Sequence, residues 1–539
     1  MTFSRMNAAA DWTVSGFPAR LGINRRTTMS SRQRRGTGMT YMKPVATTPF
    51  GRFVGRRDGD LDVFRGVPYA QAPVGPRRFA RPEPLPLSDE TVDAGADGPI
   101  PPQLPSRLEI AMGPSAGTQG EDCLSLTVWA PADLGGEKVP VLVWFHGGAF
   151  MSGAGSLPWY AGAALARTGR VVVVSVNSRL GALGYLRLAG VSDGNLGLHD
   201  QRASLRWVQR CIAAFGGDPD SVCIAGQSAG AFAVLALVVS EEGRSLFRRA
   251  ILQSGPYGLE PEPPARAEER GRIFADALGV RPQAEALRAV PVDRLLVSAR
   301  AVAQHFARGP GDSTPPFVPC LDGDLLKAPL LEATAAGAAS WCPMIVGYTR
   351  EECSVFSAID PAFKAMTRDQ LRAALHAEFG DRAEALMAEY EALRGYRDAG
   401  ALHADAASDR RFIAPALALA RHQARAGRAA FVYQFNWPSP ATDFGASHCI
   451  ELPFLFGARE AWAQAPMFRG ATDADYGHIS RTMRAYWAGF ARTGDPNAGG
   501  LLAWPRYEEP ARQTMTFDRY IAPMSDPAGS TWRTLLRAS

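Results

Sequence analysis

The sequence predicts an α/β protein whose large, mostly parallel, twisted sheet is wrapped by helices on both faces. Three observations lead there. The first is a set of short runs rich in Val and Ile: Val139–His146 (VPVLVWFH), Val171–Asn177 (VVVVSVN), Ser221–Gly226 (SVCIAG), Arg249–Ser254 (RAILQS) and Pro343–Tyr348 (PMIVGY). They are apolar at consecutive positions, the pattern of strands buried on both sides. The second is helical spacing between them, as in His199–Phe215 (HDQRASLRWVQRCIAAF), so that strand and helix alternate. The third is the absence of any Gly/Ser- or Pro-rich linker long enough to divide the chain after about residue 43. Residues 44–539 therefore read as one domain. Two Ala/Arg/Glu-rich stretches, near 260–306 and 360–427, read as helical insertions that wall one end of the sheet.

Composition narrows the function classes. The chain has 539 residues, 46% of them hydrophobic and 21% charged, as in ordinary globular proteins. Its longest apolar runs are far shorter than the roughly 18 residues a membrane helix needs. The net charge of +5 is unevenly spread: residues 1–43 carry +7 and the remainder −2. The basicity belongs to an Arg/Ser/Thr-rich leader, read as a disordered tail or a mis-assigned start, since Met29, Met39 and Met42 are internal candidates. Nucleic-acid binding would require basic residues clustered on a folded face, so that role is set aside. Seven cysteines without CxxC spacing argue against zinc and against a full disulfide framework, and favour a reducing, cytoplasmic setting.

The most informative stretch is Ile224–Ser240 (IAGQSAGAFAVLALVVS), where an apolar strand gives way to an apolar helix around Ser228. A strand ending at Ala225 and a helix starting near Ala229 must meet in a sharp turn. Gly226 and Gly230 remove the Cβ atoms that would clash there, and the helix N-terminus directs N–H groups toward the same point. A serine hydroxyl needs a base, and the base an orienting acid, in the chain order Ser, Asp/Glu, His on such a sheet. Among the downstream histidines, His305, His376, His403 and His422 sit in charged helical stretches and His478 opens a predicted helix. His448 lies in a Gly-containing loop before an apolar segment (FGASHCIELPFLFG), which suits a held base. Glu352 and its neighbour Glu351 both follow the PMIVGY strand at its carboxyl end, where α/β sites gather; the residues alone leave that choice open. The Gly-rich WFHGGAF (Trp144–Phe150) ends another buried strand and can present backbone N–H groups to a ligand oxygen.

These pieces together resemble type-B carboxylesterases, the cholinesterase-like group of α/β-hydrolases, and its bacterial members most. FRGVPYAQAPVG (Phe64–Gly75) and GEDCLSLTVWAP (Gly120–Pro131) are similar to the family's first two signatures. Asn195–Ala231 resembles its nucleophile segment, GYTREEC and GASHCIELPFLFG its acid and base segments, and YWAGFARTGDPN (Tyr486–Asn497) its carboxyl-terminal helix and turn. The resemblance implies an α/β-hydrolase fold, Ser228 as nucleophile, Glu352 as acid and His448 as base. Glu352 is selected because the family's acid falls five residues after the glycine, here Gly347. It implies oxyanion donors at the backbone N–H groups of Gly148, Ala149 and Ala229.

Departures from the family bear on substrate. Gln227 stands where Glu is usual before the nucleophile, and no Phe, Trp or Tyr occurs between Arg81 and Val128, where cholinesterases place the Trp that holds a quaternary ammonium. Choline esters are therefore rejected. No cysteine precedes Cys123, so the family's early disulfide cannot form, and Cys353 and Cys449 replace common glycines. The expected activity is hydrolysis of small-molecule carboxylic esters through an acyl-enzyme, with no metal or organic cofactor. Cleavage of aryl carbamates or amides is the alternative, since GQSAGA with HCIE also resembles bacterial carbamate hydrolases. A non-catalytic binding module on the same scaffold is disfavoured because Ser, Glu and His are all present.

Overall fold

The computed structural model describes residues 43–536 apart from 308–313, 359, 396–397 and 498, so the leader lies outside the described residues except for Lys43. Its frame is a mixed sheet. In chain order the strands are β1 (Arg56–Asp58), β2 (Leu61–Pro68), β3 (Ser125–Pro131), β4 (Val139–Phe145), β5 (Val172–Val176) and β6 (Gly217–Gln227), then β7 (Arg249–Gln253), β8 (Met344–Thr349), β9 (Ala430–Phe435), β10 (Gln513–Phe517) and β11 (Ala522–Ser525). Their spatial order is β11-β10-β9-β8-β7-β6-β4-β5-β3-β2-β1. The stretch from β10 to β5 is parallel, and antiparallel pairs close both edges.

All five runs expected as strands form strands, and their side chains explain why. In β4, Val141, Val143 and Phe145 join one buried cluster while Leu142 and Trp144 join another. In β6, Val222 and Ile224 enter the first cluster and Cys223 and Ala225 the second. Alternate side chains point to opposite faces, so a run apolar at every position places one hydrophobic layer on each side. Helices α1 (Leu196–Cys211) and α2 (Ala229–Val239) supply the first layer, and α2 is buried nearly all round. The second layer is closed by α9 (Asp473–Thr493), through Ile479, Met483, Tyr486, Trp487 and Phe490.

The two Ala/Arg/Glu-rich stretches, 260–306 and 360–427, both carry helices. The first contains α3 (Pro264–Leu278) and α4 (Val292–Phe306); the second contains α5 (Arg368–Phe379), α6 (Ala383–Arg394), α7 (Ala399–Ser408) and α8 (Ala414–Arg425). Three details differ from expectation. The elbow strand β6 runs on to Gln227, because its pairing with β7 continues through Gln227↔Gln253. His478 lies inside α9, whose N-cap is Thr472 accepting from Asp475 N, rather than at a helix start. β3 and β9 add two further buried strands to the five runs. Among the described residues no helix is long and apolar enough to cross a membrane.

Candidate active site

Four parallel strands deliver the predicted residues to one edge of the sheet, β4, β6, β8 and β9, each through the loop at its carboxyl end. Ser228 sits between β6 and α2 with φ 57° and ψ −125°, outside the regions a serine ordinarily occupies. Its N–H donates to Gln253 O at 2.9 Å and its C=O accepts from Phe232 N at 3.0 Å, so both sides of the strained residue are tied down. The two glycines are sterically required. A Cβ on Gly226 would come within 2.5 Å of the Gly230 backbone, and one on Gly230 within 2.0 Å of Phe145 O. The elbow thus packs directly against the end of β4.

Beyond that end lies the glycine-rich loop. Gly148, Ala149 and Phe150 have φ of 118°, 55° and 62°. The Gly148 carbonyl accepts from Met151 N and Ser152 N, both at 3.0 Å, which folds the loop into a tight turn. Among the described residues the N–H groups of Gly148 and Ala149 donate to no backbone or side-chain acceptor, and both residues line the same cavity as Ser228. Ala229 is the first residue of α2, where the N–H has no partner within the helix.

Glu352 and His448, the expected acid and base, lie in contact. His448 Nδ1 donates to Glu352 Oε2 at 2.5 Å, and Glu352 Oε1 accepts from Thr349 N at 2.8 Å. Glu352 is fully buried and His448 is 2% exposed. Glu351 points elsewhere: its Oε2 accepts from Ala446 N at 2.7 Å and its Oε1 pairs with Arg350 at 3.0 Å. It clamps the loop that carries His448, and its 7% exposure shows that it is no surface group. Burial acts to lower the His448 pKa, but the neighbouring Cys449 sulfur and the Glu352 carboxylate more than offset it, and the imidazole titrates well above its ordinary value. Burial and Glu352 together push Glu451, one turn along, up to about 7.

Ser228 and His448 line one cavity, yet the free nitrogen of the ring is engaged elsewhere. Gln227 Nε2 lies 3.2 Å from His448 Nε2 and 3.3 Å from Cys449 Sγ. Among the described residues Ser228 Oγ has no hydrogen-bond partner. Sequence reasoning treated Gln227 only as a missing charge. It also missed Phe412 and Phe356, whose rings lie 4.9 Å and 6.1 Å from the imidazole. Leu104, Leu108 and Met112, from the stretch without aromatics, give the cavity an aliphatic wall, while Trp159 and Tyr160 supply aromatic surface from another segment. Cys353 and Cys449 are both buried and free; Cys449 has φ 74°, the backbone shape that favours glycine. Among the described residues no cluster of three or more His, Cys, Asp or Glu could hold a metal.

Residues 42–528 match the sequence profile of the carboxylesterase family. A probable N-octanoylanthranilate hydrolase of Rhodococcus erythropolis is 38% identical, over 87% of this chain and 97% of its own length. The para-nitrobenzyl esterase of Bacillus subtilis is 34% identical, over 90% and 96%. The crystal structure of a Geobacillus stearothermophilus carboxylesterase superposes with a TM-score of 0.80 at 35% identity, over 91% of this chain and all of that one. Profile, relatives and superposition agree: the chain belongs to the carboxylesterase family and is a carboxylic ester hydrolase of the α/β-hydrolase fold.

Proposed function

We propose that this enzyme cleaves small-molecule carboxylic esters through an acyl-enzyme formed on Ser228, with His448 as general base and Glu352 as its orienting acid. The observation that carries the reading is the buried 2.5 Å hydrogen bond between Glu352 and His448, beside the strained serine. His448 Nε2 takes the Ser228 proton as the oxygen attacks the ester carbonyl, and Glu352 stabilises the imidazolium. The N–H groups of Gly148, Ala149 and Ala229 receive the developing oxyanion. The imidazolium then protonates the leaving alcohol, and neutral His448 activates the water that releases the acid. Catalytic hydrogen bonds are often loose before substrate arrives and tighten in the complex, which accommodates the present engagement of Nε2 by Gln227.

The helical insertions act as pocket walls on a single domain spanning 44–539: Leu295, Leu296 and Ala299 of α4 line the cavity, as do Arg411 and Phe412 between α7 and α8. With Gln227 in place of a carboxylate before the nucleophile, the cavity lacks that residue's attraction for the cation of a choline ester. We place the enzyme in the cytoplasm, where seven buried free thiols are compatible with the redox state, and assign it neither a nucleic-acid nor a membrane partner. Replacing Ser228 with Ala should abolish turnover of an aryl ester; activity near wild type would overturn the reading.

A second reading is favoured by the amide bond in the name of the N-octanoylanthranilate relative. On the same residues, cleavage of an aryl amide or carbamate would be the main task and ester cleavage incidental. Matched ester, carbamate and anilide substrates separate the two by their kcat/KM.

A further inference from the structure

We propose that Gln227 is a positioning residue that holds His448 Nε2 as a proton acceptor in the resting enzyme and yields that place to the Ser228 hydroxyl when substrate enters. The inference rests on His448 being the base. Gln227 is the last residue of β6, immediately before Ser228, and is 1% exposed, so its side chain has little room to stray. Its amide nitrogen reaches His448 Nε2 at 3.2 Å, and its second N–H is held by Cys449 Sγ at 3.3 Å. With Nδ1–H given to Glu352, Nε2 of the neutral ring is an acceptor and the amide a fitting donor. In the imidazolium, Nε2 carries a proton, and two N–H groups would face each other. The contact therefore selects the unprotonated base.

The effect runs against most of the ring's other neighbours. Glu352 bonds to Nδ1, Cys449 and Glu451 follow His448 in the chain, Cys353 follows Glu352, and Arg411 lines the same cavity from between α7 and α8. The carboxylates favour the imidazolium, whereas Gln227 favours the neutral form. A carboxylate at position 227 would reverse this contribution by accepting from Nε2–H.

The test is the pH dependence of kcat/KM for an aryl ester in wild type, Gln227→Glu and Gln227→Leu, with folding checked by near-UV circular dichroism. Activity is lost as pH falls through the pKa of the base, so a stabilised imidazolium moves the acid limb upward. Gln227→Glu should raise the limb by about one pH unit or more. Gln227→Leu, which only removes the donor, should raise it by about half a unit. A limb that stays in place in Gln227→Glu, whatever the height of the plateau, overturns the proposal. Should that variant not fold, an unmoved limb in Gln227→Leu does the same. An active Ser228→Ala enzyme would instead refute the underlying reading, so the two failures are distinct.

Discussion

Gly230→Ala is the sharpest perturbation of the elbow. The new Cβ would lie 2.0 Å from Phe145 O, 2.7 Å from Phe145 C and 2.8 Å from His146 O, against ordinary contacts that begin at 3.4 Å. All three atoms are backbone, so no rotamer change relieves the overlap, and elbow and loop must separate by about 1.4 Å. Overpacking of this kind costs roughly 1–3 kcal/mol, and the rigid setting of α2 and β4 puts this case at the upper end. The same displacement moves Gly148 and Ala149 relative to Ser228. A misplacement of about 1 Å at reacting groups costs on the order of 10²-fold, so kcat should fall by about that factor while KM changes little. Urea unfolding and initial rates on an aryl ester measure both effects. Gly499→Ala, where a Cβ meets nothing within 4 Å, is the control and should match wild type. A Gly230→Ala enzyme with wild-type stability and kcat would refute the packing argument.

Other predictions follow from the acid, the base and their neighbours. Glu352→Gln should lower kcat by on the order of 10³–10⁴-fold, as for comparable triad acids. Glu351→Gln should cost far less, because an amide oxygen can still accept from Ala446 N; the reverse ranking would exchange their roles. The acid limb of kcat/KM should lie above the pH expected for a free imidazole, about 6.5, because Cys449 and Glu352 outweigh burial at His448, and it should move down in Glu352→Gln. Glu451, raised from 4.5 to about 7, makes a contribution that is fully present below pH 4.5 and lost as pH rises through 7. That loss amounts to about 3 kcal/mol by linkage, so unfolding measured between pH 4 and 8 should show a flatter profile for Glu451→Gln; an equally steep one would contradict the assignment.

What the sequence discloses depends on how far apart the partners lie. The nucleophile turn is legible because its requirements are local: two glycines, a strand and a buried helix, all between Ser221 and Val239. The central strands are legible because burial on both faces removes polar residues from consecutive positions. β9 (AFVYQF) is as apolar as they are but directly follows an Ala/Arg-rich helix, and it escapes a reading by pattern. Glu351 and Glu352 have the same chemistry in adjacent positions. Only the structure separates them physically, by showing one holding Ala446 and the other His448. Gln227 and His448 are 221 residues apart, and Phe412 reaches the imidazole from a helical insertion. Contacts of that kind leave no local pattern.

On the proposed mechanism Ser228 carries the covalent chemistry and His448 activates it. A fluorophosphonate probe reacts with an activated serine, and peptide mass spectrometry locates the adduct. A single stoichiometric adduct on Ser228 is expected, formed in step with loss of esterase activity and suppressed in His448→Ala. An adduct on another residue, or full labelling of Ser228 at wild-type rate in His448→Ala, would contradict it.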